Sequence, residues 1–131
     1  MTGSAALFTD RYELTMVDAA LRDGTANRES LFEAYARRLP YGLRYGVVAG
    51  TGRLLELIDR FRFEDAELEW LGENRVVRPE TLDWLADYRF RGDIWGYPEG
   101  EAYFPGSPLL TIQATYAEAV TAVAAGARHI T

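Results

Sequence analysis

Two clusters in this sequence carry side chains suited to chemistry. Asp10-Arg11-Tyr12 sets an acid, a base and an aromatic ring on consecutive residues, and Arg37-Arg38 pairs two guanidinium groups. An exposed tyrosine ring can stack on a planar ligand, and forked guanidinium donors suit carboxylate and phosphate oxygens. The same residues also read as a capping acid, a core tyrosine and surface arginines, and spacing alone leaves both readings open. Other candidates are thinner. Gly50-Thr51-Gly52 precedes a helical pattern as a phosphate loop would. The dinucleotide fingerprint, however, needs glycine where Leu55 stands, and the Walker loop needs a lysine. The segment reads as a helix-entry turn. Glu99 and Glu101 could be the acid and base of a glycosidase, but flanking Gly100 in a turn they read as solvated. His129 has no Ser or Cys partner in sight and stands near the chain end, where fraying outweighs catalysis. No catalytic residue and no metal-ligand set is assigned.

Composition narrows the classes. The chain has 131 residues, 48% of them hydrophobic and 26% charged, which suits one globular domain. Twenty acidic residues against 14 basic ones give a net charge of −6, the wrong sign for a general nucleic-acid binder. Every basic residue is arginine, so Schiff-base lysine chemistry is excluded. Cysteine is absent, which excludes disulfides, thiolate nucleophiles and cysteine zinc sites. The start lacks the features of a signal peptide. The Ala-rich stretch 116–127 contains Glu118 and is too short to span a bilayer. A cytoplasmic protein with no membrane contact is expected.

The elements that position these residues follow from periodicity. Asp10-x-x-Glu13 is a capping box, and Asp23-Gly24 stops the helix it opens. Leu14, Val17 and Leu21 form its apolar stripe. Alternation over 31–37 predicts a strand, with Phe32, Ala34 and Ala36 on one side and Glu33, Tyr35 and Arg37 on the other. A helix is predicted from Val47 or Gly50 to Phe61, and two shorter ones over 64–71 and 79–88, the latter opening on Pro79. Short strands are predicted near 93–97, 101–104 and 108–114, then an Ala-rich helix over 116–127 that would bury little on its own. The class is α+β, N-terminal helices with a small antiparallel β meander.

Several linked stretches resemble the N-terminal portion of nicotinate phosphoribosyltransferases. They are Leu7-Phe8-Thr9-Asp10-Arg11-Tyr12-Glu13-Leu14-Thr15-Met16, Phe32 to Pro40, Tyr45 to Leu55, Phe90-Arg91-Gly92-Asp93-Ile94, and Pro98 to Leu109. They cover about 6–119 in order, with 120–131 as a divergent end of one domain spanning 1–131. The resemblance implies an enzyme joining nicotinate to phosphoribosyl pyrophosphate with Mg²⁺ and ATP, the residues that bind these two lying outside this chain. It implies a dimer and an N-terminal α/β portion packed on an irregular α/β barrel. It also implies that Tyr12 stacks on the pyridine ring across the dimer, that Asp10 supports that edge, and that Arg37 and Arg38 contact phosphate. The barrel, its G-S-R-R-type motif and the phosphorylated histidine have no counterpart here, and His129 does not sit in that histidine's motif. A fragment, a truncated frame or one chain of a split enzyme is expected. The alternatives are a non-catalytic dimerisation or regulatory module, or a phosphoribosyltransferase for quinolinate or nicotinamide. Without a barrel, Leu109, Leu110, Ile112 and the faces around Trp95 and Tyr97 are expected to be exposed.

Overall fold

The computed structural model describes residues 6–126; His129 lies outside the described residues. Helix α1 (Arg11–Asp23) begins at the predicted capping box, where the Glu13 carboxylate accepts the Asp10 N–H at 3.1 Å. It ends at Gly24, whose φ of 82° is the left-handed conformation glycine adopts freely. Leu14, Val17 and Ala20 are buried along one face. Strand β1 (Glu29–Ala34) alternates as predicted, with Phe32 and Ala34 inward. It starts and stops earlier than the alternation suggested because pairing with β5 (Leu110–Thr115) sets its limits, from Glu29 opposite Thr115 to Ala34 opposite Leu110.

Strand β3 (Asp93–Gly96) pairs antiparallel with the other edge of β5, giving the order β1-β5-β3. The class is α+β with a small antiparallel sheet. The strands do not follow one another as a simple meander, however. Strand β4 (Ala102–Tyr103) leaves its sequence neighbours and pairs with β2 (Gly46–Val47) in a separate ribbon. Gly46 permits this pairing, since a Cβ there would collide with the Tyr103 ring. The Val48 N–H donates to Glu101 O and the Gly100 N–H to Val48 O, both at 2.8 Å. The sequence pattern offered Val47 or Gly50 as a helix start and gave no strand at 46–47, because two residues carry no readable period. With both its edges paired, β5 is central. Leu110 and Ile112 are therefore buried, at 4% and 7% exposure, not left open as expected, whereas Trp95 on the edge strand remains half-exposed.

The remaining helices are α2 (Thr51–Arg60), α3 (Asp65–Glu73), α4 (Pro79–Ala86) and α5 (Tyr116–Gly126). Glu64 and Glu67 form a second capping box at α3. The first turn of α4 is met from a distance. Asp18 of α1 accepts the Arg78 N–H at 3.0 Å, the Thr81 hydroxyl at 2.6 Å and the Arg78 Nε at 3.3 Å. Burial pushes the Asp18 carboxyl up, but the hydrogen bonds from Thr81 and Arg78 and the guanidinium charge outweigh it, so it lies below its ordinary value. Phe61, Phe63 and Tyr88 meet edge to face in one core cluster, while Val17, Ala20, Ala117 and Val120 join α1 to α5 in another. Leu71 and Leu85, essentially unexposed, each contribute about 1.5–3 kcal/mol by burial.

Helix α5, Ala-rich as read, sits deep in the fold, with Ala117, Ala119, Val120, Ala122, Ala124 and Gly126 all buried. Small side chains bury little area each, yet they let a helix approach its neighbours closely. A Cβ on Gly126 would stand 2.6 Å from Leu54 Cδ1.

The backbone approach at Gly92 generates a test. A Cβ there would strike the Gln113 carbonyl oxygen and stand 2.6 Å from Ala114 Cβ, and neither can swing aside. Gly92→Ala is expected to cost about 1–3 kcal/mol, the range for overpacking. Gly52→Ala meets only Glu99 Oε1 at 3.7 Å, and in a helical turn it should be neutral or stabilising. Urea unfolding midpoints of the two variants check this contrast.

Candidate functional site

The predicted site residues fall at one end of the domain. The link after Gly24 sends β1 back along α1, and α5 starts beside that link, with the Tyr116 N–H on Arg28 O at 2.8 Å. Ala125 near the end of α5 packs against the cluster holding Ala6 and Leu14, while Ala34 packs with Leu54, Leu110 and Ala122. The first turn of α1 and the exit of β1 therefore share an end.

Tyr12 is the second residue of α1 and its side chain is 60% exposed. The core-tyrosine reading is thus set aside. The capping box below it and the Thr15 hydroxyl on Tyr12 O at 3.0 Å fix the turn that carries it. Asp10 is exposed and spends its carboxylate in the capping box. Arg37 and Arg38 lie on a bend beyond β1, both exposed. Strand alternation does not apply to them, because pairing with β5 stops at Ala34. The extended residues leading to them are held by the Leu109 N–H on Ala34 O at 2.7 Å and the Gly106 N–H on Ala36 O at 2.9 Å.

The Gly50 loop carries a feature that the sequence did not reveal. Gly50 is left-handed, with φ 93°, and the Glu99 carboxylate lies over the start of α2. Glu99 accepts the Gly50 N–H at 3.0 Å on each oxygen and the Gly52 N–H at 3.0 Å. The helix-entry reading stands, and an internal carboxylate fills the amides a phosphate would need. Glu99 is exposed, as read from the sequence, but its carboxylate is engaged by these amides. Backbone hydrogen bonds from Gly52 and Gly50, with help from Thr51, hold it below the ordinary carboxylate range. Among the described residues no three His, Cys, Asp or Glu side chains come together to hold a metal, and no helix is long and apolar enough to cross a membrane.

The sequence pattern of the nicotinate phosphoribosyltransferase (NAPRTase) N-terminal domain matches residues 7–122. A nicotinate phosphoribosyltransferase of Mycobacterium tuberculosis, pncB1, is 59% identical over 116 residues, 88% of this chain and 25% of that protein. Relatives of the same name are 31% identical in Bacillus subtilis, over 88% of this chain and 24% of theirs, and 32% identical in Homo sapiens, over 81% and 20%. The crystal structure of human nicotinic acid phosphoribosyltransferase superposes with a TM-score of 0.77 at 28% identity, covering 86% of this chain and 23% of that one. The nicotinate-nucleotide pyrophosphorylase of Pyrococcus furiosus shares the fold, with a TM-score of 0.66 at 19% identity over 96% of this chain and 25% of that one. The chain belongs to the nicotinate phosphoribosyltransferase family, as its N-terminal domain. It spans about a quarter of the length of the curated relatives it matches.

The Glu99 clamp makes a pH-dependent prediction. A carboxylate whose folded value lies below the ordinary value of about 4.3 stabilises fully above that value and loses its contribution as pH falls through the folded one. Glu99→Gln should lower the melting temperature near neutral pH, and the gap from wild type should close as pH drops below about 4. Melting curves across that range check it.

Proposed function

We propose that this chain is the N-terminal part of an enzyme that joins nicotinate to phosphoribosyl pyrophosphate in NAD salvage. The products are nicotinate mononucleotide and pyrophosphate, and the transfer is coupled to ATP. The observation that carries the reading is Tyr12, a half-exposed ring on a rigidly capped first turn inside the family-matched segment. In this reading a second copy receives that ring, which stacks on the pyridine plane, and Asp10 supports the same edge. Arg37 and Arg38, exposed at the same end, contact phosphate oxygens through their forked donors. These contacts position the substrates, the largest service a remote domain offers to group transfer.

Among the described residues no three His, Cys, Asp or Glu side chains come together, and Glu99 fills the Gly50 and Gly52 amides that a phosphate would need, which favours a site for Mg²⁺ and ATP elsewhere. In this reading both are held outside this chain, by the barrel portion that completes the enzyme in the cytoplasm. The family match favours an enzyme part over a free-standing dimerisation or regulatory module.

In a complete enzyme carrying this N-terminus, Tyr12→Ala should weaken nicotinate binding by about 1–3 kcal/mol, the scale of a lost stacking platform. Tyr12→Phe should be much milder. An unchanged Michaelis constant together with a lowered melting temperature would reassign Tyr12 to a structural role. The 131 residues alone should form no nicotinate mononucleotide from nicotinate, Mg²⁺, ATP and phosphoribosyl pyrophosphate. A radiolabelled nicotinate assay reads this directly.

A further inference from the structure

A half-open cavity of about 260 Å³ lies between the start of α1 and α3. Leu14, Leu71 and Val76, all buried, form its floor, and Leu7 and Trp70 form a rim at 42% and 49% exposure. Thr9 also lines it, but its hydroxyl already donates to Ala6 O at 3.2 Å. Arg11 is the one charged residue in the lining. Among the described residues no hydrogen bond or ion pair reaches its side chain.

Arg11 is also badly placed for the helix it opens. A cation in the first turn faces the positive end of the helix dipole, where an acid would serve better. Arg11 is exposed, and functional sites are where such local rules are expected to be broken. Asp10 takes up the helix start through its capping box, so the guanidinium is the group left to read an anion.

We propose that this cavity binds a small organic monoanion with an apolar body, an aryl or short-chain alkyl carboxylate. The hydrocarbon part lies against Leu14, Leu71, Val76 and the Trp70 ring, and the carboxylate meets the Arg11 fork in the bidentate geometry that guanidinium favours. A phosphate ester is a poorer fit, since one guanidinium in an otherwise apolar wall offers no second cation. The volume falls just under the roughly 300–1,000 Å³ of drug-sized sites, which suits a ligand of fragment size. Tyr12 does not line the cavity, so this site is independent of the ring-stacking role.

Titrating the 131-residue chain with phenylacetate while following tryptophan emission tests the proposal. Trp84 packs on Tyr88 in the core and Trp95 lies on β3, so Trp70 is the reporter. A saturable change is expected that disappears in Trp70→Phe. Binding should weaken at least about tenfold in Arg11→Gln, and equally for neutral phenylacetamide on the wild-type chain, as expected for loss of a charge-assisted pair. Tyr12 is not in the lining, so Tyr12→Ala should leave it within about twofold, and failure here and failure of the stacking role are separable. The proposal is overturned by an absent or non-saturable response, by equal affinity for the amide or in Arg11→Gln, or by loss in Tyr12→Ala. Trp70 emission that follows protein concentration alone would show a second copy covering the groove and would equally overturn it.

Discussion

Strand β5 passes into α5 between Thr115 and Tyr116 with no intervening loop residue, so the polar groups at the junction have to be met on the spot. The α1–β1 link meets two of them. The Tyr116 N–H donates to Arg28 O and the Ala117 N–H to Ala26 O, at 2.8 and 3.0 Å. The Thr115 hydroxyl donates to Glu118 Oε2 at 3.1 Å, joining the last strand residue to the first helical turn. One uninterrupted segment thereby becomes both the central strand and the innermost helix. Sheet order, the depth of the α1–α5 contact and the end at which Tyr12 emerges all depend on this junction.

Carboxylates do much of the joining elsewhere. Asp18 crosses from α1 to the start of α4, Glu99 from the 98–101 turn to the start of α2, and Glu118 faces Arg91 from inside α5 at 3.7 Å. The first two meet helix N-termini, where orphan amides and the dipole both favour negative charge. Part of the acidic excess in the composition is therefore structural, built for Asp18 and Glu99 into contacts that span 47 to 63 residues.

This explains what was legible in the sequence. The Asp10 capping box, helix stripes and the alternation of β1 are local, and Asp10, Gly24 and Phe32 announce their roles within a few residues. The exposure of Tyr12 was one of two readings that spacing left open, and the packing of α1 decided between them. The Glu99 clamp and the β2–β4 ribbon join segments about fifty residues apart, and neither half carries a period. The depth of helix α5 was hidden for another reason. Alanine content signals small buried area per residue, whereas the helix's place in the middle of the fold follows from the close approach that small side chains permit.

The central place of β5 and α5 also has a consequence for how the chain is made. Synthesis proceeds from the N-terminus, so β1 and β3 both emerge before the strand that pairs with each of them exists. Until then β1 has no partner, and the face of α2 carrying Leu54 and Ile58 has nothing to close on, although α1 can already meet α3 and α4 through Leu14 and Asp18. The nascent chain must wait with Phe32, Leu54 and Ile58 uncovered, a period in which ribosome-bound chaperones and neighbouring chains compete for the same surfaces. The sheet closes only when 110–115 arrives, so translation speed up to this stretch sets how long the unpaired strands wait.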